Sequence, residues 1–161
     1  MRLISAFLPL TLLAAFPAAA ETLPPPDNPA IDYSGYHGLG GDVRVYRPQR
    51  RLGWDEFARQ ARAQGALLLN ARSETAYRRG HLKGAVNLPF TDFTAESLRA
   101  LIGDDPPRPI YIYCNNNFMN DAAPVPMKAA PLSLNVQTFV NLYGYGYRNI
   151  WELADSIDFR D

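Results

Sequence analysis

The sequence predicts an α/β fold in which a central, mostly parallel sheet is flanked by helices. The apolar runs at 67–69 and 110–113 have the length and the β-branched or aromatic character of buried strands. Segments with helical periodicity separate these runs, so the two kinds of element alternate along the chain. Because such alternation is typical of parallel strands joined by helices, we expect an open sheet whose ligand site lies at the carboxyl ends of its strands.

The individual elements follow from periodicity and from residues that begin or end regular structure. Ser73 and Thr94 are each placed to cap a helix, the second one over 96–102. Pro89 closes a short strand, and Gly144 ends a helix that begins at Ser133. The predicted strands are 67–69, 85–88, 110–113 and 150–151, and the predicted helices are 54–61, 73–77, 96–102 and 133–143.

Residues 1–20 have the pattern of an export signal. Arg2 is followed by an apolar stretch at 3–16 and by small residues that end at Ala20. The stretch is shorter than the ~20 residues of a membrane span. We therefore expect cleavage after Ala20, a periplasmic or secreted product, and no stable membrane insertion after cleavage.

The remainder divides into an extension and one domain. Residues 21–49 are rich in proline and glycine, which predicts an irregular N-terminal extension, whereas 50–156 carries the periodic elements. The basic residues Arg47, Arg50 and Arg51 are expected on a solvated face.

Composition excludes several classes of function. Without Arg2 the chain has fifteen basic and sixteen acidic residues, so its net charge is close to zero. A near-neutral chain is not expected to have a nucleic acid as its main partner. The single cysteine excludes an internal disulfide and a zinc site built from cysteine pairs. No metal and no cofactor is predicted.

That cysteine, Cys114, directly follows the predicted strand at 110–113 and precedes three asparagines. A thiol in this place lies at the carboxyl edge of the sheet, where N–H groups of a tight loop can converge on a thiolate. Such convergence would bring the pKa of Cys114 below the ~8.5 of a free cysteine. The alternative is a buried, inert cysteine that ends a core strand and reacts slowly at every pH.

Four segments, taken in order, resemble the rhodanese-like domain, a sulfurtransferase family. Residues 68–74 are similar to its strand and D-x-R-x-x-E opening, and 77–89 to its G-H-I-x-G-A-x-N-x-P stretch. Residues 110–114 resemble its V-x-Y-C strand, and 146–153 its closing G-Y-x-N-V-x-x-L. Together the segments cover most of 52–153.

The resemblance implies that Cys114 is a nucleophile that takes a sulfane sulfur from a donor, becomes a persulfide, and passes the sulfur on. It implies a small sulfur-containing substrate or a thiol acceptor protein as partner, and it makes Arg72 and His81 scaffold residues near the site. The loop expected to cradle the sulfur and bind substrate comprises Asn115, Asn116, Asn117, Phe118 and Met119.

The chain also departs from the family pattern. Asn70 stands where an aspartate would give Arg72 an ionic partner, and Met119 stands where active members often have a basic residue. An insertion at 120–132 lengthens the stretch after the cysteine, which leaves open whether the helix from Ser133 points at the sulfur. We expect the insertion to fold over the cysteine pocket, with Lys128 turned toward the sulfur as a substitute cation.

These departures leave alternatives open. The first is an exported sulfurtransferase that works through a Cys114 persulfide. The second is a catalytically idle rhodanese-like module that binds a partner protein or a sulfur compound. A related cysteine-based phosphatase is disfavoured, since it needs an arginine soon after the nucleophile and no basic residue occurs between Cys114 and Lys128.

Overall fold

The computed structural model describes residues 28–103, 107–119 and 126–158. The chain divides into two units, Met1–Ile31 and Asp32–Asp161. Within the described end of the first unit, the Ile31 N–H donates to the Asn28 carbonyl oxygen at 2.9 Å and closes a turn. The signal peptide predicted for 1–20 and its cleavage site lie outside the described residues.

The second unit is built on a five-stranded, all-parallel sheet, which confirms the predicted fold class. In chain order its strands are β1 (Arg51–Leu52), β2 (Leu67–Asn70), β3 (Val86–Asn87), β4 (Ile110–Tyr113) and β5 (Ile150–Leu153). The spatial order is β1-β5-β4-β2-β3. The strand that precedes Cys114 is therefore the central one.

Strand register brings particular residues to one edge of the sheet. Asn70 lies opposite Tyr113, so β2 and β4 end at the same level. Ile112 of β4 lies opposite Glu152 of β5. Because parallel strands end at a common edge, the chain leaves β2 toward Arg72 and β4 toward Cys114 side by side.

Five α-helices accompany the sheet in the described residues: α1 (Tyr33–Tyr46), α2 (Trp54–Ala61), α3 (Glu74–Arg79), α4 (Ala95–Ile102) and α5 (Leu134–Gly144). The predicted caps are present on two of them. Ser73 Oγ accepts from the Ala76 N–H at 3.3 Å. Thr94 and Ser97 cap α4 reciprocally, each side chain accepting from the other's N–H, at 3.0 and 2.9 Å. Short 3₁₀ turns occupy 47–50, 90–92, 115–117 and 130–132.

Apolar residues of successive strand positions pack on opposite faces of the sheet. Leu69 and Ile112 join one core cluster, which α1, α4 and α5 cover. Leu68 and Tyr111 join another cluster, in which Phe57 of α2 is fully buried. Burial on both faces explains why β2 and β4 are continuous apolar runs rather than alternating ones. Within the described part of the chain, no helix combines the length and the apolarity that a membrane crossing requires.

Residues 21–49 were predicted to form an irregular extension. This prediction is wrong for Tyr33–Tyr46, which form helix α1. Asp32 starts this helix, because its Oδ1 accepts from the Gly35 N–H at 2.7 Å. Leu39 and Val43, four residues apart, face the core. The packed unit therefore begins at Asp32 rather than at residue 50. Tertiary packing overrides the low helix propensity of the glycines in this segment.

Helix α1 is held by close packing against α5. A Cβ atom at Gly144 would lie 3.2 Å from Leu39 Cδ1, so glycine allows the two helices to approach at this point. The Tyr46 ring contacts those of Phe139 and Tyr143, with centroids 6.5 and 5.4 Å apart. These contacts make α1 a structural part of the domain.

The packing of α1 predicts a contrast between two valines of the same helix. Val43 is buried, whereas Val45 is 74% exposed. We expect Val43→Ala to lower the free energy of unfolding by about 1–2 kcal/mol, because it removes buried methyl groups. The matched control Val45→Ala should change it by less than about 0.5 kcal/mol. Chemical denaturation of both variants measures the difference, and equal effects would show that α1 does not contribute to the core.

Candidate functional site

Cys114 lies directly after the central strand, with only 1% of its surface exposed. The strand ends here because residues 115–117 turn into a 3₁₀ helix. Asn117 Oδ1 accepts from the Cys114 N–H at 2.9 Å and stabilises this turn. The thiol therefore lies at the predicted edge of the sheet, but beneath the surface.

Three backbone N–H groups form hydrogen bonds to the thiol, those of Asn116, Leu134 and Asn135. Leu134 and Asn135 are the first two residues of α5, so the N-terminus of this helix is directed at Cys114. The helix that follows residues 120–132 therefore does begin at the sulfur, which answers the question that the sequence left open. A helix N-terminus favours an anion at this position.

Burial nevertheless dominates the acidity of the thiol. Desolvation raises the pKa of Cys114 above its ordinary value, the three N–H groups lower it, and the nearby Glu152 carboxylate raises it. The net direction is upward. The prediction that the pKa of Cys114 is lowered is therefore wrong for the resting protein. The sequence pattern indicated the N–H groups near the sulfur, but it could not indicate how much water the folded chain excludes from it.

Two of the three asparagines hold the insertion beside the cysteine. Asn115 Nδ2 donates to the Pro126 carbonyl oxygen at 3.0 Å. Asn116 pairs with the backbone of Lys128, donating from Nδ2 to its carbonyl at 2.7 Å and accepting from its N–H at 3.1 Å. The described end of the insertion is therefore attached to the cysteine loop, while the amide side chains contact the chain rather than the sulfur.

The third asparagine, Asn117, is buried and connects the cysteine loop with β5 and α5. Its Nδ2 donates to the carbonyl oxygens of Leu153 and Asp155, both at 3.0 Å. Its Oδ1 accepts from the Asn135 amide at 3.1 Å, besides accepting from Cys114. This side chain therefore links the cysteine loop to the end of β5 and to the start of α5.

Phe118 and Met119 do not belong to the cradle that was predicted from the loop. The Phe118 ring is buried against Tyr113, edge to face, with centroids 6.0 Å apart. Met119 is 66% exposed, and its N–H donates to the Ile157 carbonyl oxygen at 2.8 Å. The chain turns away from the sulfur at Phe118 because this segment pairs with the C-terminal residues around Ile157.

Arg72 is buried beside the site, with 2% of its surface exposed. It donates to Asn70 Oδ1 from Nε at 3.2 Å, to Asn115 Oδ1 at 3.3 Å, and to the Gly80 carbonyl oxygen. Burial lowers the pKa of Arg72, while electrostatic interactions with Tyr113 and Cys114 raise it. No carboxylate of the described residues forms a salt bridge with Arg72.

His81 lies on the surface near α3. Its ring stacks on Tyr77 with centroids 3.8 Å apart and an interplanar angle of 10°. Its Nδ1 lies 2.9 Å from the Tyr77 carbonyl oxygen. These contacts connect it to the end of α3 rather than to the sulfur.

An ion pair that the sequence did not indicate lies behind the cysteine. Glu152 is 4% exposed, accepts from Asn135 Nδ2 at 3.2 Å, and forms a salt bridge with Arg47. The available signal for this ion pair was an acidic residue, Glu152, directly after the strand predicted at 150–151. This pairing raises the pKa of Arg47.

The neighbouring Arg50 lies over two aromatic rings. Its Cζ atom is 5.0 Å from the ring centroid of Tyr46 and 4.9 Å from that of Trp151. Of the three arginines expected on a solvated face, Arg51 is exposed, whereas Arg47 and Arg50 are half-buried in these contacts.

A cleft of about 450 Å³ opens next to the cysteine. Lys128 is exposed and lines this cleft together with Arg72, Arg79, Asn115 and Leu134. Cys114 is buried and is not one of the residues that line the cleft, although its sequence neighbour Asn115 is. No cluster of histidine, cysteine, aspartate or glutamate suited to a metal ion occurs among the described residues.

With this geometry established, comparison with known families identifies the domain. The family model of the rhodanese-like domain matches residues 54–158, more than half of the chain. The chain belongs to the rhodanese-like family. A search of curated proteins gave no match. Membership of this family supports a sulfurtransferase-type or sulfur-related function, and it agrees with the all-parallel sheet and with a cysteine at its carboxyl edge.

The raised pKa predicts the pH dependence of thiol labelling. Iodoacetamide labelling of the folded protein should reach half its maximal rate above pH ~8.5, the value for a free cysteine. Glu152→Gln should move this midpoint downward, because it removes a negative charge near the sulfur while keeping a side chain of similar shape. Labelling rates across pH, measured by mass spectrometry, test both statements.

The exposed pair Glu74–Arg78 on α3 provides the control. Glu74→Gln should leave the labelling midpoint unchanged. A wild-type midpoint below that of a free cysteine, or a Glu152→Gln midpoint equal to that of wild type, would contradict this account of the electrostatics.

The same shift predicts how stability depends on pH. Because the folded protein holds the Cys114 proton more tightly than the unfolded chain, this stabilisation is complete below the unfolded pKa and is lost as pH rises above it. The free energy of unfolding of wild type relative to Cys114→Ser should be constant below pH ~8 and should then fall by up to about 1.4 kcal/mol per pH unit. Denaturation at a series of pH values measures this difference, and a difference that grows with pH would contradict the prediction.

Proposed function

We propose that this protein is a sulfurtransferase that moves a sulfane sulfur through a persulfide on Cys114. The observation that carries the proposal is the environment of the sulfur. Cys114 follows the central strand, and three backbone N–H groups, two of them from the N-terminus of α5, form hydrogen bonds to its thiol. A persulfide or thiolate formed at this position would be stabilised by the same groups.

The proposed reaction has two steps and needs no external oxidant. With thiosulfate as donor, the Cys114 thiolate forms a bond to the outer sulfur. The sulfur–sulfur bond of thiosulfate breaks, and sulfite leaves with the electron pair. A thiolate acceptor then attacks the outer sulfur of the persulfide, the bond to Cys114 breaks, and its electron pair returns to the Cys114 thiolate.

Burial has a specific consequence for this mechanism. The raised pKa keeps the resting thiol protonated near neutral pH, so the proton must leave as the donor approaches. The N–H groups of Asn116, Leu134 and Asn135 are already in position to stabilise the anion that results. We therefore expect the reaction to become faster as pH rises.

We further propose that the protein acts outside the cytoplasm, on a small sulfur compound or on a thiol of a partner protein. The apolar stretch at 3–16 and the small residues before Glu21 support export. N-terminal sequencing of the extracytoplasmic protein is the measurement, and a chain that still begins at Met1 would contradict this proposal.

The second candidate is a rhodanese-like module that binds a sulfur compound or a partner without turnover. The burial of Cys114 and the upward shift of its pKa favour this reading, because both reduce the reactivity of the thiol. Met119 occupies the loop position where a basic residue was expected, which weakens the attraction for a small anion at the sulfur.

Intact-mass spectrometry distinguishes the two candidates. After incubation with thiosulfate, the wild-type protein should gain the mass of one sulfur atom, and a thiol reductant should remove it. Cys114→Ser should gain nothing. Persulfide formation should be faster at pH 9 than at pH 7, because more of the thiol is ionised. A wild-type protein that gains no sulfur from thiosulfate or from an organic persulfide would overturn the enzyme proposal in favour of the binding module.

A further inference from the structure

We propose that the cleft beside Cys114 is a binding site for an organic dianion, a carbon-based sulfur compound with at least two acidic groups. This inference rests on the proposed function, since it assigns the cleft to the sulfur donor or acceptor of that reaction. Its volume of about 450 Å³ falls in the range of small-molecule sites. An inorganic sulfur oxyanion of five heavy atoms would leave most of this space empty.

The charge of the lining argues for an anion. Arg72, Arg79 and Lys128 all line the cleft, and none of its described lining residues is an aspartate or a glutamate. A concave surface with one sign of charge concentrates the potential and attracts counter-ions. Three cations without a carboxylate match a ligand with more than one negative charge.

Arg72 is a second reason to expect an anionic ligand, because it is a buried cation without a carboxylate partner among the described residues. Its Nε donates to the neutral amide of Asn70. Removing an arginine from water is costly unless an opposite charge compensates for it. An acidic group of a ligand in the cleft would supply that compensation, at a residue that also interacts electrostatically with Cys114.

The apolar part of the lining argues for a carbon skeleton. Pro89, Phe90 and Leu134 contribute to the walls, and Ser73 and Thr91 line the cleft as well. Ser73 Oγ accepts from the N-terminus of α3, so its own hydrogen can still be donated to a ligand. A purely ionic ligand would not use the apolar surface.

The cleft and the sulfur share structural elements. Leu134 lines the cleft, and its backbone N–H forms a hydrogen bond to the Cys114 thiol. Arg72 lines the cleft and interacts electrostatically with Cys114. A ligand held by the three cations would therefore be anchored next to the reacting sulfur.

Calorimetric titration of Cys114→Ser with S-methylmercaptosuccinate tests the proposal without any chemical step. This probe is a dicarboxylate whose sulfur is blocked. Saturable binding is expected, and Arg79→Gln should weaken it by about threefold to tenfold, because one charge-assisted contact is lost. The control is Arg78→Gln, which changes the neighbouring residue of α3. Arg78 pairs with Glu74 away from this cleft, so binding should stay unchanged.

Asn70→Asp provides a test in which the fold is preserved. An aspartate beside Arg72 would neutralise the buried cation, so binding of the probe should weaken while thermal stability is kept or increased. Loss of binding through unfolding would instead lower the melting temperature, which separates the two causes.

Three outcomes would overturn the cleft as an organic-anion site. The first is that the dicarboxylate does not bind. The second is that Arg79→Gln and Arg78→Gln lose the same amount of affinity for it. The third is that inorganic sulfate binds as tightly as the dicarboxylate does. The proposed function fails separately, since it depends on sulfur transfer to wild-type Cys114 rather than on affinity in Cys114→Ser. Binding of the dicarboxylate without persulfide formation on wild-type Cys114 would support the anion site and contradict the proposed sulfurtransferase activity.

Discussion

The side-chain amide of Asn117 holds the parts of the candidate site together. Its oxygen accepts from the Cys114 N–H and from the Asn135 amide, and its nitrogen donates to two carbonyl groups at and after the end of β5. One buried side chain thereby connects the cysteine loop, the start of α5 and the C-terminal strand. Because a buried amide is stable only when its hydrogen bonds are made, these three segments are constrained to one arrangement.

The electrostatics of the cysteine follow from that arrangement. The N-terminus of α5 is directed at the sulfur and favours its anion, while burial and the carboxylate of Glu152 oppose it. Arg47 pairs with that carboxylate from the segment just after α1. The N-terminal part of the packed unit thus contributes to the charge balance around a thiol that lies far from it in sequence. Residues outside the motifs of a family can in this way tune the reactive group that the motifs supply.

The site has two regions with different properties. The sulfur is enclosed and bonded to backbone N–H groups, whereas the neighbouring cleft is open and lined by cations. Asn115 and Asn116 attach the described end of the insertion to the cysteine loop, and the insertion contributes Lys128 to the cleft. The described end of this segment therefore shapes the surface that a substrate would meet. Since function resides in sites rather than in folds, this surface is where a substrate preference of this chain would be set.

Local signals in the sequence were sufficient for four of the five described strands, all except β1, and for the position of the cysteine. Continuous apolar runs predicted β2 and β4, and Thr94 predicted the start of α4, because these features depend on burial and capping within a few residues. The glycine-rich α1 was missed, since its helix depends on packing against α5 rather than on propensity. Likewise, no local pattern could show that Phe118 enters the core.

The acidity of Cys114 was decided by the tertiary structure alone. The sequence determined that a cysteine follows the central strand and that a tight loop follows the cysteine. The pKa of its thiol depends on how much water the surrounding elements exclude and on a glutamate that the register of β5 places nearby. Desolvation and charge proximity are properties of distances between segments remote in sequence, so they exist only once the chain has folded.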